Sequence, residues 1–129
     1  MTISVVDPIK DARKQKGKQV LHDSSNYHVW IHGPDAPGDK GPMHKHTADQ
    51  TFICVKGDAT YNFPDGTSAT LTPGMMIVIP KGDFYQIENK SAADFILVGS
   101  RAEPYKNPRF SEGDKVVDET TRFDAGANY

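Results

Sequence analysis

The stretch that decides the fold is Gly41-Pro42-Met43-His44-Lys45-His46-Thr47-Ala48-Asp49-Gln50-Thr51-Phe52-Ile53-Cys54-Val55-Lys56-Gly57. It opens on loop chemistry, passes into a β-branched and aromatic run from Gln50 to Val55, and stops at Gly57-Asp58. Side chains of an extended chain alternate between two faces. His44 and His46 therefore share one face, and in a chain that stays extended Gln50, Phe52 and Cys54 join them. Two imidazoles and an amide oxygen on one inward wall are a donor set able to hold a divalent metal. A His-x-His pair taken alone is a weak sign, since paired strand histidines are more often exposed or hydrogen-bonded.

Downstream, Gly74-Met75-Met76-Ile77-Val78-Ile79-Pro80-Lys81-Gly82-Asp83-Phe84-Tyr85-Gln86-Ile87-Glu88-Asn89 adds a second patterned segment. Between the two, Ala59 to Phe63 pairs with Ser68 to Leu71 through Pro64-Asp65-Gly66-Thr67, a hairpin signature. Met75 to Ile79 reads as a buried apolar strand, and Phe84 to Glu88 and Phe95 to Ser100 as two more. Upstream, Tyr27 to His32 has strand composition, and Gly33 to Pro42 reads as a loop from its Gly and Pro content. Many short strands at this spacing predict a sandwich or barrel, and no segment reads as a long amphipathic helix.

With both segments in view the chain resembles the cupin family. The first cupin motif is matched in spacing by His44, His46, Gln50 and Gly57, the second by Gly74, Pro80, Gly82, Tyr85 and Asn89. The spacing match covers about residues 41 to 89 and the strand pattern about 20 to 102. The resemblance implies an all-β double-stranded β-helix, a jelly-roll barrel, with dimers as the common state. It also implies a metal site at His44, His46, Gln50 and Tyr85. Two of these depart from the family pattern, Gln50 standing for Glu and Tyr85 for the last His. The usual anionic ligand is lost, and Tyr85 could restore it as a phenolate or stay a hydrogen-bonding phenol. Zn, Fe, Mn and Ni are not separable by these ligand types.

The chain has 129 residues and a formal charge of −2, which fits one domain and argues against nucleic acid or an anionic membrane as the main partner. Cys54 is the single cysteine, so no intramolecular disulfide forms. The start of the chain lacks secretory character and no apolar run approaches the ~20 residues of a bilayer span, so the expected compartment is the cytoplasm. Residues 1–19 are expected to form an arm or a short helix opened by Asp7-Pro8, residues 20–102 the barrel, and residues 103–129 an extended polar tail. Tyr105, Phe110, Val116, Val117 and Phe123 of that tail could dock on the barrel or cover its mouth; a wholly disordered tail is the alternative its composition allows.

Other candidates follow from strand parity. Tyr61 could face the site as an acid–base group or fill the barrel, and Phe52, Cys54 and Trp30 could line the cavity. Arg101, at the end of the last strand, could hold an anionic group. His28 and His32 flank Trp30 and point either inward or to a surface. The expected function is a small metal-dependent enzyme acting on a small organic substrate by proton transfer, as a lyase, isomerase or cyclase, with His46, Tyr85 and Tyr61 as candidate catalytic groups. A dioxygenase, a metal-free acid–base enzyme and a non-catalytic binding module are the rivals. A homodimer would cover exposed sheet edges.

Overall fold

The computed structural model describes residues 3–13 and 17–115. Asp7 accepts hydrogen bonds from the backbone of Ile9 and Lys10 and caps a one-turn helix, α1 (Pro8–Asp11), with proline in its first turn. Among the described residues the strands are β1 (Lys18–Asp23), β2 (His28–Asp35), β3 (Gln50–Lys56), β4 (Ala59–Asn62), β5 (Ser68–Leu71), β6 (Met76–Ile79), β7 (Gln86–Glu88) and β8 (Phe95–Arg101). They form a five-stranded sheet in the order β1-β2-β8-β3-β6 and a three-stranded sheet in the order β5-β4-β7. Every pairing within them is antiparallel. Among the described residues no helix is long and apolar enough to cross a membrane.

The two sheets close on one core: Trp30, Phe52, Cys54, Tyr61, Tyr85 and Phe95, with aliphatic neighbours such as Ile87 and Leu97. Parity explains the membership. In β3, Gln50, Phe52 and Cys54 are buried while Ile53 is exposed. In β2, His28, Trp30 and His32 all turn inward. Trp30 and Phe52 meet across Gly99 of β8, whose backbone pairs with both. A Cβ at Gly99 would lie 2.4 Å from the Trp30 ring, so the missing side chain is the space the indole occupies.

Three strand expectations change. β2 runs on through Gly33-Pro34 to Asp35, so the loop starts later than its Gly and Pro content suggested. β1 forms an edge strand that its mixed polar sequence did not announce, and it reaches back to Lys18. The stretch from Met75 to Ile79 is not a buried strand. Met75, Met76 and Val78 are 47%, 53% and 65% exposed, and only Ile79 is fully buried. β6 is an edge strand with one face in water, a fact its composition does not carry.

Beyond β8 the described chain stays on the barrel. Glu103 and Arg109 are buried. Lys45 and Phe110 exchange backbone hydrogen bonds of 2.8 and 2.9 Å, which straps residues 103–110 across the histidine segment. Val116, Val117 and Phe123 lie outside the described residues.

Gly57 ends β3 with φ +72°, and a Cβ there would lie 2.3 Å from the Asp94 carbonyl oxygen. Both the left-handed backbone and the close approach require glycine. Gly57→Ala is expected to destabilise the fold by roughly 2 kcal/mol or more, read as a lower urea midpoint with an unchanged denaturant slope.

Candidate functional site

His44 and His46 are placed by the strap and by an isolated bridge rather than by a regular strand. The backbones of His44 and Tyr85 exchange hydrogen bonds of 3.0 and 2.9 Å, which brings the two sequence motifs side by side. The His44 ring centroid lies 4.5 Å from that of Tyr85 and 4.9 Å from that of His46. All three side chains are buried. His44 Nδ1 lies 2.8 Å from the Pro42 carbonyl oxygen. A carbonyl only accepts, so Nδ1 carries a proton and donates it.

Gln50 starts β3 directly opposite Arg101, the last residue of β8. Arg101 Nε donates to Gln50 Oε1 at 2.9 Å. Arg101 and Gln50 lie close enough to the Tyr85 hydroxyl to favour its ionised form. The guanidinium is itself held on its remaining sides. Its Nη1 lies 3.5 Å from His28 Nε2 and 3.9 Å from Glu103 Oε2, and its Cζ lies 4.8 Å from the Trp30 ring centroid. Glu103 also accepts from the Thr47 hydroxyl at 2.7 Å and places Oε2 4.0 Å from His46 Nδ1. His28 Nδ1 lies 2.7 Å from the Glu103 carbonyl oxygen and carries the proton there, so Nε2 accepts from Arg101 and, at 3.0 Å, from Lys18 Nζ. A cavity of about 240 Å³ at the ends of β3 and β8, whose lining includes Tyr27, Asp49, Gln50 and Arg101, leads from solvent to this pair.

Burial pushes the Tyr85 phenol up, against the opposing pull of Arg101, of the hydrogen bond to Gln50 and of Arg109. Tyr85 is thus a neutral phenol in the resting site. Tyr61 is pushed up further, by burial first and then by Tyr85, Cys54 and Asp35. Its Oη is fully buried and finds no hydrogen-bond partner among the described residues, so it directs a polar atom into the interior.

The sequence-predicted residues separate into two groups. His44, His46, Gln50, Tyr85 and Arg101 come together in one cluster, with Tyr61 one aromatic contact away at 6.1 Å between ring centroids. Trp30 is sandwiched by Lys18, His28 and Arg101, and Phe52 sits in the middle of the core. Cys54 is core as well, its thiol donating to the Gly57 carbonyl oxygen and pushed up by burial, so it is not a reactive group. Glu103 and Arg109 were missed because they lie in a charged, Pro-containing stretch with no periodicity. His32 forms a separate buried pair with Asp35, Nε2 to Oδ2 at 3.2 Å.

Comparison with known proteins follows from this geometry. Residues 35–99 match the cupin domain family model. The chain belongs to the cupin family. It is similar to auxin-binding protein 1 of Arabidopsis thaliana, 29% identical over 67% of this chain and 48% of that protein. It is also similar to auxin-binding protein T92 of Nicotiana tabacum, 30% identical over 61% of this chain and 46% of that protein. The chain thus spans about half the length of these curated relatives. Among solved structures, a double-stranded β-helix domain protein of Klebsiella pneumoniae superposes with TM-score 0.73 at 16% identity, over 91% of this chain and 99% of that one. A cupin-2 domain protein of Shewanella frigidimarina gives 0.59 at 24%, over 74% and 87%. At these identities the structures speak for the fold alone.

Cupins commonly hold a divalent metal at the positions of His44, His46, Gln50 and Tyr85, and the donor chemistry of this cupin can be tested against that. His44, with Nδ1 anchored on a carbonyl, has the partner arrangement of a metal-ligating histidine. Gln50 does not fit, because its oxygen serves a guanidinium, and the Tyr85 phenol lies in the field of the same cation. Unit charges ~4 Å apart at an effective dielectric of ~20 repel by about 4 kcal/mol, and a dication by about twice that. Among the described residues no cluster of three or more His, Cys, Asp or Glu side chains is arranged to hold a metal ion.

The buried phenols set a pH limit. Folding raises the Tyr61 and Tyr85 values above those of the unfolded chain. Below about pH 10 both states keep the protons and stability is unaffected; above it the unfolded chain sheds protons that the folded chain retains, and stability falls. Denaturant midpoints are expected to drop above about pH 10, less steeply in Tyr61→Phe. An identical drop in that variant would show that Tyr61 does not hold its proton.

Proposed function

We propose that this cupin is a small proton-transfer enzyme of the lyase or isomerase type that acts on a small organic molecule through its own side chains. One observation carries the proposal: the Glu103 carboxylate lies between His46 (4.0 Å) and Arg101 (3.9 Å), and the same guanidinium acts on the Tyr85 phenol. Glu103 gives a protonated His46 a buried counter-ion, so the ring can accept a proton from substrate. Tyr85, kept neutral by burial, is the group that can return one. Arg101 stabilises the negative charge that develops between the two transfers, in surroundings where water screens it little. His44 presents its Nε2 to the same space and, as the neutral ring, serves as a second acceptor or orienting group. Tyr61 offers its unpartnered hydroxyl to a polar atom of the substrate.

A second reading, a binding module without turnover, draws on the two curated relatives named for binding auxin. Hydrogen–deuterium exchange separates the two. A panel of small carbonyl compounds is incubated with the full chain in deuterated buffer and followed by NMR. The enzyme reading expects catalysed exchange at a carbon-bound hydrogen, reduced about 100-fold or more in His46→Ala and in Tyr85→Phe. Saturable binding of a compound whose hydrogens the protein never exchanges would favour the binding module. Exchange that survives both substitutions would remove His46 and Tyr85 from the chemistry.

A further inference from the structure

We infer that Arg101 is the resident cation of this barrel, its guanidinium taking the place that a divalent metal holds in other cupins. The inference goes beyond the proton-transfer reading and does not depend on it. Gln50 and Tyr85 are the two positions at which the chain departs from the metal-binding pattern; Gln50 Oε1 accepts from Arg101 at 2.9 Å, and the Tyr85 phenol lies in the field of the same guanidinium. An amide oxygen and a neutral phenol suit a guanidinium, which needs acceptors and brings its own charge. They suit a dication less, since neither supplies negative charge at rest. The two departures thus have one cause.

The rest of the setting is built around the arginine. Its other partners approach from two elements: His28 and, two residues on, Trp30 from β2, the latter offering a ring face, and Glu103 from the strap. His28 is a positioning residue. Its Nδ1 is tied to the Glu103 backbone, which leaves Nε2 facing Arg101 and Lys18 as an acceptor. Arg101 itself is 4% exposed, so this is an interior charge with a fixed address rather than a strand-end residue in solvent.

The test reads metal rather than turnover, so its outcome is separate from that of the exchange experiment. The full chain is purified without added metal, and elemental analysis and calorimetric titration with Zn²⁺ and Ni²⁺ are run on wild type, Arg101→Met and Arg101→Met/His44→Ala. The inference expects wild type to carry well under one equivalent of metal and to bind both ions weakly. Arg101→Met frees the Gln50 oxygen and removes the cation beside Tyr85, and should bind at least roughly 10-fold more tightly, a gain lost again when His44 is removed. Should Arg101→Met not fold, Arg101→Lys, which keeps the charge but cannot span both acceptors, is titrated instead and should stay weak. Stoichiometric metal in wild type that disappears with His44→Ala, or affinity unchanged by Arg101→Met, would overturn the inference.

Discussion

A guanidinium buried where β8 ends organises the mouth of this barrel. Desolvating a charge is tolerable only if its hydrogen-bonding capacity is met and its charge is answered nearby. Arg101 meets both conditions by drawing on four separate parts of the chain: Gln50 at the start of β3, Tyr85 before β7, His28 at the start of β2 and Glu103 beyond β8. Removing Glu103 would leave the charge unanswered, and removing Gln50 or His28 would leave an N–H without its acceptor. The same requirement explains why the chain turns back over the barrel after Arg101. Glu103 is needed inside, and the strap from Glu103 to Phe110 delivers it there.

With Arg101 as the proposed resident cation, the site takes a character unlike the metal-centred one its two histidines suggest. Negative charge can be stabilised by a donor covalently part of the chain, and its protonation does not change in the physiological range. The surrounding imidazoles are sorted by backbone carbonyls: Pro42 fixes the proton of His44, and Glu103 fixes that of His28. Tautomer and ring orientation are therefore properties of the folded backbone. His46 is the histidine beside the carboxylate, which gives it a role distinct from those two.

Much of the fold was legible because it rests on local rules. The hairpin from β4 to β5 forms around Asp65-Gly66, with the Thr67 amide donating to Asp65 Oδ1, as its turn chemistry required. The inward set of β3 followed from period-two alternation. What was not legible depends on neighbours. Met76 and Val78 read as core because a run of apolar residues is the same on an edge as in the middle of a sheet. β1 was hidden because a half-buried edge strand need not alternate sharply. Gly33-Pro34 was taken for loop because composition cannot show that β8 continues to pair beyond it.

For the site, the sequence by itself pointed to which side chains enter the interior: Gln50, Phe52, Cys54 and Tyr61 follow from strand parity, and His44, His46 and Tyr85, which lie outside the regular strands, from the spacing of two motifs. Parity is a property of one strand and survives translation from sequence to space. Only the tertiary structure decided what those side chains do. Gln50 and Arg101 are 51 positions apart, and their contact exists because β3 and β8 pair in one particular register. Glu103 and Arg109 enter the site through a strap whose sequence has no period at all. Interactions between charges are set by distance and burial, and neither quantity is defined until the sheets have closed.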